Sequence, residues 1–108
     1  MEELRRALQD DPRLVAAHNS LGLAYKAQGR IAQALEEFLT AIRLDPDISC
    51  SYNNVASLLF DQLGRYEEAM RWFRKAIEVD PDSECGRAAK GNLDRLMSLS
   101  SKGRQEKD

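Results

Sequence analysis

The chain has 108 residues, a formal net charge of −2 and an isoelectric point near 5.5, with 43% hydrophobic and 31% charged residues. This balance suits one solvated helical domain. Nucleic acid is not expected as a partner, because phosphate contacts need clustered Lys and Arg. Membrane insertion is not expected either, because no run of about 18 apolar residues occurs. The first residues lack the apolar core of a signal peptide, so we expect a cytoplasmic protein.

The first predicted helix covers residues 2–10. Leu4, Ala7 and Leu8 share one face of it, at the spacing of an amphipathic helix. Pro12 comes directly after and ends the helix, because proline lacks a backbone donor and disfavours a helical residue before it.

Two further helices are predicted around the next turn. One runs from about residue 13 to 28, and Gly29 lies where it must end, since glycine adopts the left-handed cap conformation without a Cβ penalty. The other runs from about residue 31 to 44 and ends at Pro46. Its apolar stripe recurs at i, i+4 and i+7 and consists of Ala34, Phe38 and Ala41.

A fourth helix is predicted to begin around Tyr52, and one residue has been added between Ala56 and Gly64. Tyr52 lies 34 residues after His18, whereas Gly64 lies 35 residues after Gly29. The added residue is most simply Leu63. A single insertion within a helix rotates the downstream residues by about 100°, so we expect either a wider turn or a π-bulge near this residue.

The last elements are two helices and a tail. A fifth helix is predicted over residues 66–79, and its stripe consists of Ala69, Phe73, Ala76 and Ile77. A last helix is predicted over residues 84–99. Residues 100–108 are polar throughout, so a disordered tail is predicted there.

Cys50 and Cys85 are predicted to be free thiols. Neighbouring helices pack about 8–10 Å apart, and a disulfide needs Cα atoms within about 7 Å of each other. The two cysteines and the single histidine form no recognisable zinc spacing. No metal site and no cofactor are therefore expected.

The same residue types return at a fixed spacing along the chain. Leu4, Phe38 and Phe73 occupy one slot, at intervals of 34 and 35 residues. Other equivalent positions are Ala34 and Ala69, the Gly-Arg dipeptides at 29–30 and 64–65, and the helix-ending Pro12, Pro46 and Pro81. Over roughly residues 1–83 this spacing resembles the tetratricopeptide repeat, a 34-residue helix–turn–helix unit.

The resemblance implies an all-α fold, a right-handed superhelical stack of antiparallel helix pairs with about six helices. It divides the chain into a half repeat at 1–12, a repeat at 13–48, a repeat at 49–83 with the insertion near residue 63, a capping helix at 84–99 and the tail at 100–108. The half repeat indicates either a fragment cut within a repeat or a family member that begins with a capping helix.

The resemblance also implies a function, a protein–protein interaction module or scaffold that binds a peptide or partner segment without catalysis. The ligand would lie in the concave groove lined by the first helix of each repeat. The residues implied to face it are Asn19, Ser20, Leu23 and Lys26, then Asn53, Asn54, Ser57 and Phe60, with Ala16 and Cys50 beside them. Asn54 could hold an extended backbone, because its amide carries donors and an acceptor. The alternative is that these asparagines are simply polar surface residues.

One subtype of the family is not expected. Heat-shock co-chaperone members grip an acidic Glu-Glu-Val-Asp tail with a clamp of Lys, Asn and Arg side chains. Asn54 matches only the middle element of that clamp. Asn19 and Leu23 stand in its first two places, and Cys85 and Ala89 stand in its last two. Capture of an acidic tail is therefore disfavoured.

Catalysis is not expected from this sequence. His18 is the only histidine, and it falls where the family places a bulky packing residue. The carboxylates after each turn, Glu36, Glu37, Glu67 and Glu68, stand in matching places and indicate a solvated helix face. Since an enzyme needs a positioned nucleophile, acid–base pair or metal, the protein is predicted not to be one.

Self-association is the alternative function. The half repeat at residues 1–10 leaves Leu4 and Leu8 incompletely covered within one chain. A second copy could cover them, which would give a homodimer through the N-terminal helix.

Overall fold

The computed structural model describes residues 2–11 and 14–107, with side chains for residues 3, 5–11 and 14–99. The helices are α1 (Glu2–Asp10), α2 (Val15–Ala27), α3 (Ile31–Leu44), α4 (Ser49–Asp61), α5 (Tyr66–Val79) and α6 (Glu84–Lys107). None of the described residues lies in a strand. The predicted all-α fold with about six helices is confirmed.

The helices form a curved stack of two layers. Each helix packs against the next one along the chain, and the stack extends 56 × 29 × 18 Å. In addition α2 contacts α4 and α4 contacts α6, whereas α3 and α5 make no such contact within the described part of the chain. Since helices in the inner layer of a curve lie closer together, α2, α4 and α6 line the concave side.

The core is built from small and large residues that alternate along the second helix of each pair. In α3, Ala34, Phe38 and Ala41 are fully buried. A Cβ on Gly22 of α2 would overlap the Phe38 ring, so this glycine is what lets the two helices approach. The equivalent stripe of α5 is also buried and consists of Ala69, Phe73 and Ala76.

The added residue near position 63 lies in a turn. Three residues, 28–30, connect α2 to α3, and four residues, 62–65, connect α4 to α5. Gly29 and Gly64 have φ of 76° and 63°, and these are the left-handed conformations that glycine adopts without strain. Helices α2 and α4 have 13 residues each, so the wider turn leaves the helix pairs in register.

Helix α6 continues past the predicted end at residue 99 and runs to Lys107. The predicted tail at 100–108 thus has a helical backbone as far as Lys107, and Asp108 lies outside the described residues. The reason is local, because no proline interrupts this segment, and Lys, Arg, Gln and Glu are strong helix formers.

The prediction of two free thiols is wrong, because Cys50 and Cys85 form a disulfide with Cα atoms 5.0 Å apart. The prediction compared a distance between helix axes with a limit on Cα separation. Each Cα lies about 2.3 Å from its own axis. Facing residues on helices about 8–10 Å apart can therefore bring their Cα atoms within about 5 Å.

Candidate functional site

The concave groove is the surface of α2, α4 and α6 that faces the inside of the curve. All eight residues predicted to face it keep solvent-accessible surface. Ser20 and Leu23 are exposed, and Leu23 is 49% accessible although it is apolar. The other six are half-buried, namely Lys26, Asn19, Asn53, Asn54, Ser57 and Phe60. Their role in binding stays a prediction.

The asparagines in the middle of the groove have incomplete hydrogen bonding. Asn19 Nδ2 donates to Ser51 Oγ at 3.0 Å and joins α2 to α4. The Oδ1 atoms of Asn19 and Asn53 are both buried, and neither has a hydrogen-bond partner among the described residues. A buried acceptor without a donor costs about 1–3 kcal/mol.

An ion pair crosses one end of the groove. Lys26 Nζ lies 3.2 Å from Asp61 Oδ2 and joins the last turns of α2 and α4. Lys26 was predicted from the sequence, whereas Asp61 was missed, although it stands directly after the predicted Phe60. Because the lysine charge is compensated, this end of the groove carries no free cation from Lys26.

An apolar cavity of about 450 Å³ opens beyond Phe60. Its lining comes from α4, α5 and α6 and consists of Phe60, Tyr66, Glu67, Leu96 and Leu99. The rings of Phe60 and Tyr66 are tilted with centroids 5.5 Å apart. Leu96 is buried, whereas Tyr66 and Leu99 are more than half exposed. The sequence predicted a helix at Leu96 but not that this residue would line a cavity with Phe60.

The opposite end of the groove contains the disulfide. Cys50 and Cys85 are the second residues of α4 and α6, and both are half-buried. Phe60, near the end of α4, and Leu96, in the middle of α6, line the same cavity, so α4 and α6 run side by side in the same direction.

His18 is a packed residue of the first helix pair. It is only 9% accessible, and its Nδ1 atom lies 2.7 Å from Glu37 Oε2 on α3. Glu37 is therefore not one of the solvated carboxylates that the sequence predicted, whereas Glu36, Glu67 and Glu68 are exposed. Within the part of the chain that the structure describes, no three His, Cys, Asp or Glu residues come together as a metal site would require.

Tyr52 lies at the junction of two repeats. Its hydroxyl donates to the Pro46 carbonyl oxygen at 2.8 Å, and its ring lies 6.0 Å from that of Trp72, measured between centroids. Burial raises the pKa of Tyr52 above its ordinary value, and the carboxylates of Asp47 and Asp45 raise it further. Trp72 is half-buried.

The apolar face of helix α1 is only partly buried by the rest of the chain. Leu8 is half-buried against the core. The side chain of Leu4, on which the predicted self-association also depends, lies outside the described residues. Between residues 2 and 107, apart from the gap at 12–13, no helix has both the length and the apolar character of a membrane span.

Comparison with known proteins places the fold. A family model described as "Tetratricopeptide repeat" matches residues 2–49 and 20–84. No curated protein matches the chain.

Solved structures match over most of the chain. The first TPR of Spaghetti (RPAP3), bound to HSP90 peptide SRMEEVD, has a TM-score of 0.76 at 18% identity over 91% of this chain and 75% of its own. The Arabidopsis OM64 TPR domain has a TM-score of 0.72 at 20% identity over 85% and 75%. The Sgt2 TPR domain from Aspergillus fumigatus has a TM-score of 0.75 at 22% identity over 94% and 68%. At these identities the likeness concerns the fold, which is the predicted solenoid of helix pairs.

Proposed function

The chain belongs to the tetratricopeptide repeat family, and we propose that it is a protein-interaction module that binds an extended segment of a partner protein in the groove of α2, α4 and α6. The observation that carries the proposal is the pair Asn19 and Asn53, whose buried Oδ1 atoms lack donors among the described residues and would gain them if the side-chain amides turned toward a ligand in the groove. They belong to neighbouring inner helices and stand 34 residues apart in the repeat.

An extended peptide has the chemistry that these oxygens need. Its backbone presents N–H groups along its length, with alternate residues about 6.6 Å apart. Neighbouring helices are separated by about 8–10 Å, so one peptide strand can reach both asparagines within two or three residues. The half-buried amide of Asn54 offers donors as well as an acceptor, so it can pair with a peptide carbonyl. Binding of this kind requires positioning alone, with no reaction step.

The charges of the groove argue against an acidic tail as the ligand. The RPAP3 domain was solved with the acidic peptide SRMEEVD, but here Lys26 is already paired with Asp61. The five places of a carboxylate clamp hold uncharged residues, namely Asn19, Leu23, Asn54, Cys85 and Ala89. We therefore propose a largely uncharged segment, with an apolar side chain that enters the cavity beside Phe60.

A displayed library of random peptides of about 12 residues, long enough to span the groove in extended form, tests the proposal. Selected peptides are then titrated against the wild type, Asn19→Ala, Asn53→Ala and Phe60→Ala by calorimetry. Each groove substitution is expected to weaken binding by about 1–3 kcal/mol, since one hydrogen bond or one apolar contact is lost.

The matched control is Arg74→Ala, because Arg74 is exposed on α5, away from the inner layer. This variant should bind selected peptides with wild-type affinity. Selection of no peptide, or equal affinities for the groove variants and the control, would show that the groove is not the binding surface.

A further inference from the structure

The inner helices are joined in two different ways. Between α2 and α4, Asn19 Nδ2 donates to Ser51 Oγ. One repeat later Gly86 takes the place of Ser51, so it offers no hydroxyl to the Nδ2 of Asn53. The side-chain hydrogen bond that joins α2 to α4 therefore has no equivalent between α4 and α6.

At the junction of α4 and α6, a disulfide is present instead of a side-chain hydrogen bond. Cys50 and Cys85 precede Ser51 and Gly86 by one residue, and their disulfide joins the first turns of α4 and α6. The equivalent residue of α2 is Ala16, which cannot form such a bond. The disulfide is thus specific to the α4–α6 junction.

The first turn of α6 is also held by its connection to α5. Gly86 N–H donates to Ser83 Oγ at 3.0 Å, and Ser83 Oγ donates to the Asp80 carbonyl oxygen at 2.9 Å. A Cβ on Gly86 would overlap that same carbonyl oxygen, so the turn admits glycine alone. The buried apolar anchors of α6, Ala89, Leu93 and Leu96, come one turn or more later. Without the disulfide the first turn of α6 is joined to α4 indirectly, through Ser83, the Asp80 carbonyl oxygen and Ser49 Oγ of α4, which donates to that oxygen at 3.5 Å.

Both cysteine residues are half-buried and keep some solvent-accessible surface. We propose that Cys50 and Cys85 are a reversible thiol–disulfide modification site, whose oxidation fixes the start of α6 against α4 and whose reduction releases it. The co-reactant is a dithiol. One of its thiolates attacks a sulfur of the pair and forms a mixed disulfide, which frees the other cysteine.

The second thiol of the co-reactant then displaces the first cysteine. The products are two cysteine thiols and the oxidised co-reactant, so two electrons and two protons pass to the protein. Oxidation reverses these steps. The site functions in the same way whatever the groove binds, so it stands independently of the peptide proposal.

Hydrogen exchange of the full chain in oxidised and in reduced dithiothreitol tests the proposal. The bond should close and open reversibly, with a mass difference of two hydrogens. On reduction the amides of the first two turns of α6 should exchange at least about ten-fold faster, because local opening of that segment is no longer covalently coupled to α4. The amides of α2 and α3 should not change.

Two variants complete the design. Cys50→Ser should show the reduced exchange pattern in both buffers, since it cannot form the bond. Ser51→Ala removes the hydrogen bond to Asn19, so it should change exchange at the α2–α4 junction and leave α6 sensitive to reduction. Absence of the Cys50–Cys85 bond in oxidised buffer would overturn the proposal, and so would a reversible bond with unchanged exchange in α6.

Discussion

The ring of Phe38 occupies the space that a side chain on Gly22 would need. This contact sets the distance between α2 and α3, because the glycine lets the ring approach the backbone of α2. One repeat later Ala56 and Phe73 stand at the equivalent positions, and both are buried. A large residue on one helix and a small one on the other thus define each helix pair.

Gly22→Ala should destabilise the protein by about 1–3 kcal/mol, the usual effect of overpacking a well-filled core. The helix propensity of alanine would act in the opposite direction, by about 0.5–1 kcal/mol. Gly91→Ala is the matched control, because Gly91 is helical and its added Cβ would meet open space. The free energy of unfolding, measured by urea denaturation, should be higher for Gly91→Ala and lower for Gly22→Ala than for the wild type. The reverse order would contradict this packing.

Ala34→Leu and Ala69→Leu should each lower the free energy of unfolding by about 1–3 kcal/mol. Both alanines are fully buried between helices, so the larger side chain would overpack the core. Ala32→Leu provides the comparison, because Ala32 lies on the exposed side of α3. Thermal unfolding of the three variants measures the difference. An unchanged midpoint for Ala34→Leu would mean that the assigned repeat register is wrong.

The disulfide should contribute about 3–4 kcal/mol to stability, because it closes a loop of 35 residues in the unfolded chain. Denaturation of the wild type in oxidised and in reduced buffer measures this contribution, and Cys85→Ser should match the reduced protein in both. Equal midpoints in the two buffers would contradict the prediction. A persistent disulfide is typical of oxidising compartments, whereas the cytoplasm, which the sequence favoured, would keep the pair as thiols.

Tyr52 should make stability depend on alkaline pH. Its pKa is raised in the folded state, so the folded protein holds this proton more tightly than the unfolded chain. The resulting stabilisation is present below the unfolded pKa of about 10 and is lost as pH rises through the folded pKa. Tyr52→Phe should be about 0.5–1.5 kcal/mol less stable at neutral pH, because the bond to Pro46 is lost.

The difference between wild type and Tyr52→Phe should shrink above about pH 10, as the wild type loses its advantage. Comparing the two proteins cancels the titration of the other tyrosines and of the lysines. Asp47→Asn should weaken the effect, since the Asp47 carboxylate helps to raise the pKa of Tyr52. A difference that grows with pH would have the wrong sign for a raised pKa.

The repeating features of the structure were the predictable ones. Gly29 and Gly64 mark turns, and Phe38 and Phe73 mark buried stripes, because each pair stands at the same place in a period that the sequence displays. Features that depend on distances across the inner layer were not predictable. The disulfide required Cα positions rather than helix axes.

The pairing of Lys26 with Asp61 and the unpartnered Oδ1 of Asn53 are of the same kind, since both depend on side-chain geometry between neighbouring inner helices. The end of α6 at Lys107 was missed for another reason. A polar segment can remain helical because of the helix propensity of its residues alone, without an apolar stripe from which the helix could be predicted.

The N-terminus of α6 provides the last prediction. Ser83 Oγ accepts a hydrogen bond from the Gly86 N–H, which is the arrangement of a side-chain helix cap. The starts of α2 and α4 have no side-chain cap, since Leu14 and Ile48 stand at the equivalent places. Of the three inner helices, α6 is therefore the one that begins with a side-chain cap.

Ser83→Ala should cost about 0.5–2 kcal/mol, whereas Ser83→Thr should retain most of the stability because threonine also caps helices. The loss should be larger in reduced protein than in oxidised protein, because the disulfide fixes the same turn when it is closed. Denaturation of both variants in both redox states measures this coupling. Equal losses in the two states would mean that the cap and the disulfide act on α6 independently.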